Sequence, residues 1–346
     1  MTSLASERDV TTIPKVELHV HLNGAISEAT AAMLARRHGA DPGQGLILVD
    51  GRYPGRYSDF RGFLDAYLAA NGFVRTPDDL ELVAAEFARA QSAQNIVYSE
   101  ALFTPMIYAR NGMEPTPMWA ALKSGLAAAG PGTRIGLVVD TIRDFGQAEA
   151  DATLRLVESA DAPIVGLGLT GVEGTVPVEE FLGFRTEARR LGLGFEVHAG
   201  EMGPPESIVE AIDVLEADRI GHGVAAIRDP ALLDRLVRDQ VVLDVCPSSN
   251  VAIGLFPSLE EHPVTAFWRA GVNMTISSDD PPFMQTTLTE ELAHVVRLAG
   301  VSREELVELQ RRAVRAAFAT AETKVALLDE IDSWAASPGQ GSHCAQ

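Results

Sequence analysis

Val16-Glu17-Leu18-His19-Val20-His21-Leu22 is an apolar, β-branched run carrying two imidazoles two residues apart. In an extended strand, side chains at i and i+2 share a face, so His19 and His21 project together. Neutral imidazoles held side by side are good ligands for a transition metal. Taken alone, the pair equally fits two polar residues on a half-buried strand. The rest of the chain decides between these readings.

Seven further short apolar runs follow, at residues 96–102, 135–140, 164–169, 194–198, 219–222, 241–245 and 272–277. Between most of them lie Ala/Leu/Glu/Arg segments with helical spacing, at 118–128, 179–191, 205–215 and 230–238. Strand and helix alternating many times predict parallel βαβ units in an α/β fold. Eight units predict a closed (β/α)8 barrel of the TIM type, with an open doubly wound sheet as the alternative. Residues 27–94 are too long for one crossover helix. With a Gly/Pro/Tyr-rich patch at 51–58, they read as an inserted helical region over the barrel mouth, a lid. Extra helices are expected near 289–299, 302–319 and 322–334. Residues 1–336 therefore read as one barrel domain and the Gly/Ser/Gln-rich 337–346 as a flexible tail.

Composition narrows the partners. Hydrophobic residues make up 46% of 346, enough for a large core. The formal net charge of -20 opposes binding to nucleic acid or to an anionic membrane surface. Only two cysteines occur, Cys246 and Cys344, the second in the polar tail, so the usage suits a reducing cytoplasm. Residues 1–12 lack the apolar core of a secretory signal, and no apolar stretch approaches the ~20 residues that span a bilayer. The expectation is a cytoplasmic protein acting on a small molecule, with its oligomeric state left open.

In a barrel of this kind, functional groups sit at the carboxyl ends of strands. The polar clusters fall there in turn: His19 and His21, then His198-Ala199-Gly200-Glu201, then His222 in Gly221-His222-Gly223, then Asp279-Asp280. Three histidines and an aspartate can hold a divalent metal and leave a position open for water. Bound zinc lowers the pKa of that water to about 7. Attack then needs an acid and a base, for which Glu201 and His222 are the free candidates. His198 also shares strand parity with Glu196. Each cluster has a bland reading: a turn histidine at 222, a helix cap at Asp279-Asp280, an ion pair between Glu201 and Arg219. His262 reads as a cap for the helix that follows it. No Gly-x-Gly-x-x-Gly or Walker-type loop follows a strand, and Gly-x-Ser-x-Gly is absent, which points away from nucleotide cofactors and serine hydrolysis.

Pro14 to Gly24, His198-Ala199-Gly200-Glu201, Arg219-Ile220-Gly221-His222-Gly223, Cys246-Pro247-Ser248-Ser249-Asn250 and Ser278-Asp279-Asp280-Pro281 together resemble the adenosine/adenine deaminase family of metal-dependent hydrolases. The resemblance implies a (β/α)8 barrel holding one zinc through His19, His21, His198 and Asp279. It implies that Glu201 protonates purine N1 and that His222 orients the hydroxide attacking C6. Asp280 would meet N7, the Gly171 backbone N3, and Asn23 the ribose 5′ end. Three places depart from the adenosine pattern: Asn23 stands where an aspartate is usual, Gly168 where a strand-four acid is usual, and Ser249-Asn250 resembles the adenine and methylated-nucleotide branches more. The expected activity is hydrolytic deamination of a 6-aminopurine such as adenosine. Free adenine and N6- or 5′-modified adenine derivatives are alternatives, and another metal-dependent amidohydrolase reaction a further one. Iron or cobalt also suits such a ligand set.

Overall fold

The computed structural model describes residues 4–337. Except for Ser337, the expected tail lies outside the described residues. Eight parallel strands form one sheet in sequential order: β1 (Lys15–His21), β2 (Ile96–Phe103), β3 (Arg134–Ile142), β4 (Ile164–Thr170), β5 (Gly194–Ala199), β6 (Arg219–His222), β7 (Leu243–Val245) and β8 (Met274–Ile276). All eight match the expected runs, with β7 and β8 shorter. The seam between β1 and β8 is joined by backbone bonds from just past β8: His21 N–H donates to Asp279 O (2.7 Å), and Asp279 N–H to His19 O (3.2 Å). The architecture is the expected (β/α)8 barrel.

Helices wrap the sheet. Between β1 and β2 lie α1 (Glu28–Arg37), α2 (Phe60–Asn71) and α3 (Pro77–Ala93). The other crossovers are α4 (Pro115–Leu126), α5 (Gly146–Glu158), α6 (Leu182–Leu191), α7 (Pro205–Asp213), α8 (Pro230–Asp239) and α9 (Val264–Ala270). After β8 come α10 (Leu288–Ala299), α11 (Arg303–Ala316) and α12 (Ala321–Ala336). Proline opens α3, α4, α7 and α8, where its missing N–H is not needed. Left-handed Gly192, Gly271 and Gly300 end α6, α9 and α10. The stretch 27–94 divides in two. α3 packs on β2 and α4 as an ordinary crossover helix, so the insertion proper ends before it. α2 lies across the barrel mouth, its Phe63 and Tyr67 packed on Phe283 beyond β8.

β1 and β2 are buried at every position, as expected of strands covered on both faces. The barrel interior is nonetheless charged. Arg219 pairs with Glu100 (2.7 Å), Asp244 (2.7 Å) and Glu196 (3.1 Å), and its guanidinium lies over the Phe318 ring. One cation shared by several carboxylates keeps a buried network compensated. Arg219 therefore belongs to the barrel's packing, and the alternative pairing with Glu201 is not formed. No helix among the described residues is long and apolar enough to cross a membrane.

Candidate active site

Strand parity and the seam bring the first polar group together. His19 and His21 end β1, His198 sits near the end of β5, and Asp279 is the residue that closes the seam. Asp279 Oδ1 lies 3.3 Å from His21 Nε2 and 3.5 Å from His19 Nε2. His21 Nε2 lies 3.3 Å from His198 Nε2, and the His19 and His198 ring centroids are 4.6 Å apart. A tetrahedral ion with ~2.1 Å bonds separates its ligand atoms by about 3.4 Å, so these spacings fit a divalent cation. His19 Nε2 is buried without a hydrogen-bond partner, as a ligand atom would be. Burial, then the neighbouring imidazoles, push His198 well below the usual histidine range, which keeps it in the neutral ligating form.

The groups behind these residues set their orientation. Glu196 engages His19 Nδ1, directing Nε2 to the cluster. Ser249 Oγ donates to Asp279 Oδ2 (2.5 Å). A Cβ at Gly221 would lie 2.9 Å from His19 Cε1, so glycine there leaves room for the imidazole. Gly168 has a similar reason. A Cβ on it would meet Asp140 Oδ1 at 1.9 Å. Asp140, paired in register with Gly168 across β3 and β4, fills that space with its carboxylate 3.7 Å from His21 Nδ1. The Asp140 carboxyl thus occupies the space that a side chain at residue 168 would need.

The second polar group faces the first. Glu201 Oε1 is 3.6 Å from His222 Nε2. Burial, then the charges of Asp279 and Glu173, hold Glu201 well above the usual carboxyl range. Burial likewise pushes His222 down to about 3. Asp280 is raised well above its ordinary value by burial and by Asp279, and its Oδ1 has no partner. A Cβ at Gly24 would lie 1.7 Å from that oxygen, which explains the glycine three residues past His21. His222 and Asp279 both adopt left-handed backbone conformations, φ 63° and 64°. For residues other than glycine such strain concentrates at functional sites.

Glu173, which sequence reasoning did not single out, clamps the loop carrying Glu201. Its carboxylate accepts the backbone N–H groups of Gly200 (2.6 Å), Glu201 (2.9 Å), Met202 (3.0 Å) and Gly203 (3.0 Å). Asp144, past β3, in turn accepts Val172 N–H (2.9 Å) and so pins the loop carrying Gly171 and Glu173. The position of Glu173 shortly after Gly171 is the only sequence signal, and it carries no hint of the contact. His262 caps α9 as expected, its Nδ1 accepting Val264 N–H (3.1 Å), but it is also buried against Asn250.

Both groups open into one cavity of about 740 Å³ including its mouth. Its floor includes His21, His198, Glu201, His222, Asp279, Asp280 and Gly171. Its wall is apolar, with Phe60, Phe63, Leu64, Tyr67 and Leu68 of α2 joined by Ile107 and Ile253. Asn23 corrects an expectation. It is fully buried and does not line the cavity; its Oδ1 accepts Thr104 N–H (2.9 Å) and its own carbonyl takes Asn71 Nδ2–H (3.0 Å). The residue presented to the cavity is Thr104, one layer in front of it.

Residues 14–334 match the adenosine deaminase family. The chain belongs to that family. Within it, the chain is 36% identical over 332 residues to an aminodeoxyfutalosine deaminase of Streptomyces coelicolor, covering 94% of this chain and 85% of the relative. It is 36% identical over 320 residues to an adenine deaminase of Chelativorans sp., covering 92% and 97%. The crystal structure of adenine deaminase from Arthrobacter aurescens superposes with a TM-score of 0.83 at 28% identity, covering 94% of this chain and all of the other. The adenosine deaminase family is metal-dependent and hydrolytic, in keeping with the donor set at the cavity floor.

Proposed function

We propose that this chain hydrolyses the 6-amino group of a purine base or nucleoside that carries no phosphate. The observation that supports the reading most is the meeting of Glu201, its carboxyl raised by burial, with His21, His198 and Asp279 on one cavity floor, His19 lying against that cluster. Those four residues would hold a divalent cation, zinc by donor type. When bound, such an ion supplies Lewis acidity and lowers the pKa of water to about 7.

The chain's own groups perform the rest. Purine N1 and N7 are acceptors, so they need donors. Glu201, whose carboxyl is raised well above the usual range by burial, gives its proton to N1 and makes C6 electrophilic. Asp280, raised in the same way, donates to N7, and the Gly171 backbone meets N3. His222 holds the attacking oxygen in place. The water oxygen bonds to C6 and the C6–N bond breaks; one proton of that water leaves with the amine as ammonia, and the other restores the Glu201 carboxyl. The product is the 6-oxopurine.

The cavity wall favours an uncharged substituent on the purine. Among its lining residues there is no lysine or arginine, the groups that recognise phosphate. A nucleotide therefore fits poorly. The relatives named above act on adenine or on aminodeoxyfutalosine, so the substituent at the mouth is the open variable. Ammonia release from adenine, adenosine, 5′-modified adenosines and adenosine monophosphate tests the reading. Turnover of an uncharged member with the monophosphate slowest is expected; fastest turnover of the monophosphate, or none of any member, would overturn it.

A further inference from the structure

Behind His222 runs a line of buried hydrogen bonds whose direction is decided by its far end. Val264 N–H, at the start of α9, lies 3.1 Å from His262 Nδ1. A backbone N–H only donates, so Nδ1 of His262 accepts and its ring proton sits on Nε2. That Nε2–H faces Asn250 Oδ1 at 3.1 Å. The Asn250 carbonyl is thereby engaged, and its Nδ2 amide faces His222 Nδ1 at 3.3 Å. An amide N–H donates, so His222 Nδ1 accepts. The imidazole proton of His222 is left on Nε2, the nitrogen 3.6 Å from Glu201 Oε1. All three residues are buried, at 1% exposure for His222, 0% for Asn250 and 3% for His262, so no solvent competes for these atoms.

We infer that His262 and Asn250 are positioning residues that lock His222 in its Nε2–H tautomer, so that His222 acts on the nucleophile as a hydrogen-bond donor and not as a base. Which imidazole nitrogen carries the proton is set by the bond the other makes. An Nε2 that bears a proton cannot remove one from water. It can hold the water oxygen by donating to it, with a lone pair turned to C6. The relay thus selects between the two candidate roles of His222. It also gives buried His262 a task beyond capping α9. In serine proteases, inverting the tautomer of the catalytic imidazole lowers kcat by about 10⁴ while the geometry persists.

The inference rests on the deaminase reading, but its direct test needs no substrate. Nitrogen-15 spectra of the zinc-loaded full chain, labelled in histidine, report which nitrogen of His222 is protonated. The Nε2–H form is expected in the native protein; an Nδ1–H form overturns the inference even if deamination is confirmed. If the native chain deaminates nothing, the function fails while the tautomer still decides the relay. Asn250→Asp replaces the donor by an acceptor and should move the His222 proton to Nδ1. A loss of kcat of about 10²-fold or more, with KM and zinc content unchanged, is expected. His262→Gln, whose amide can still donate to Asn250, should retain most of the native kcat, whereas His262→Phe should not. Native kcat in Asn250→Asp, or equal loss in both His262 variants, would count against the relay. Should these variants fail to fold, the native spectrum settles the matter.

Discussion

The floor and the wall of the cavity are built by different means. The site residues sit on or just past strand ends, and four of them are held by a group behind: Glu196 behind His19, Ser249 behind Asp279, Asn250 behind His222, Glu173 around the Glu201 loop. The wall is one face of α2, apolar and packed on Phe283, with Leu68 46% exposed. A floor fixed by the sheet can keep one chemistry, while a helix inserted between β1 and β2 can change what enters. The difference assigns reaction to the barrel and selectivity to the insertion.

The comparison predicts a gradient of effects. Glu201→Gln should cost the most, about 10²–10⁴-fold in kcat with bound zinc unchanged, measured by ammonia release and elemental analysis. Near-native turnover would break the assignment of chemistry to the floor. In the native protein, activity needs Glu201 protonated. Because its pKa is raised by burial, kcat/KM should fall as pH rises past it, later than for an ordinary carboxyl; a limb rising with pH would reverse the sign. One step back, Glu173→Gln weakens the clamp on four N–H groups. A displaced Glu201 loop should lower kcat roughly ten- to a hundredfold with zinc retained. At the wall, Leu68→Ala should raise KM for a nucleoside only a few-fold and leave kcat and the KM for free adenine alone. A kcat effect there would erase the distinction between the two regions.

What the sequence disclosed follows the same division. Strand parity announced that His19 and His21 point together and that Glu196 shares a face with His198. The strand-end rule placed His222 and Asp279 beside them. These are local periodicities, legible in one dimension. The clamp by Glu173 and the filling of Gly168's space by Asp140 depend on which loops and strands become neighbours, and no spacing encodes that. Asn23 was misplaced for a related reason. His21, two residues before it, reaches the cavity, but the turn after β1 directs the Asn23 amide oxygen toward Thr104 N–H. α3 was merged with the insertion because no break in composition separates the crossover helix from the helices at the mouth.

The central claim is that His19, His21, His198 and Asp279 converge on one cation and that deamination depends on it. The most direct measurement is a zinc titration of the metal-stripped protein, read by ammonia release. Activity should rise linearly and stop at one zinc per chain. Full activity in the stripped protein, or none at any zinc level on every 6-aminopurine offered, would contradict the account.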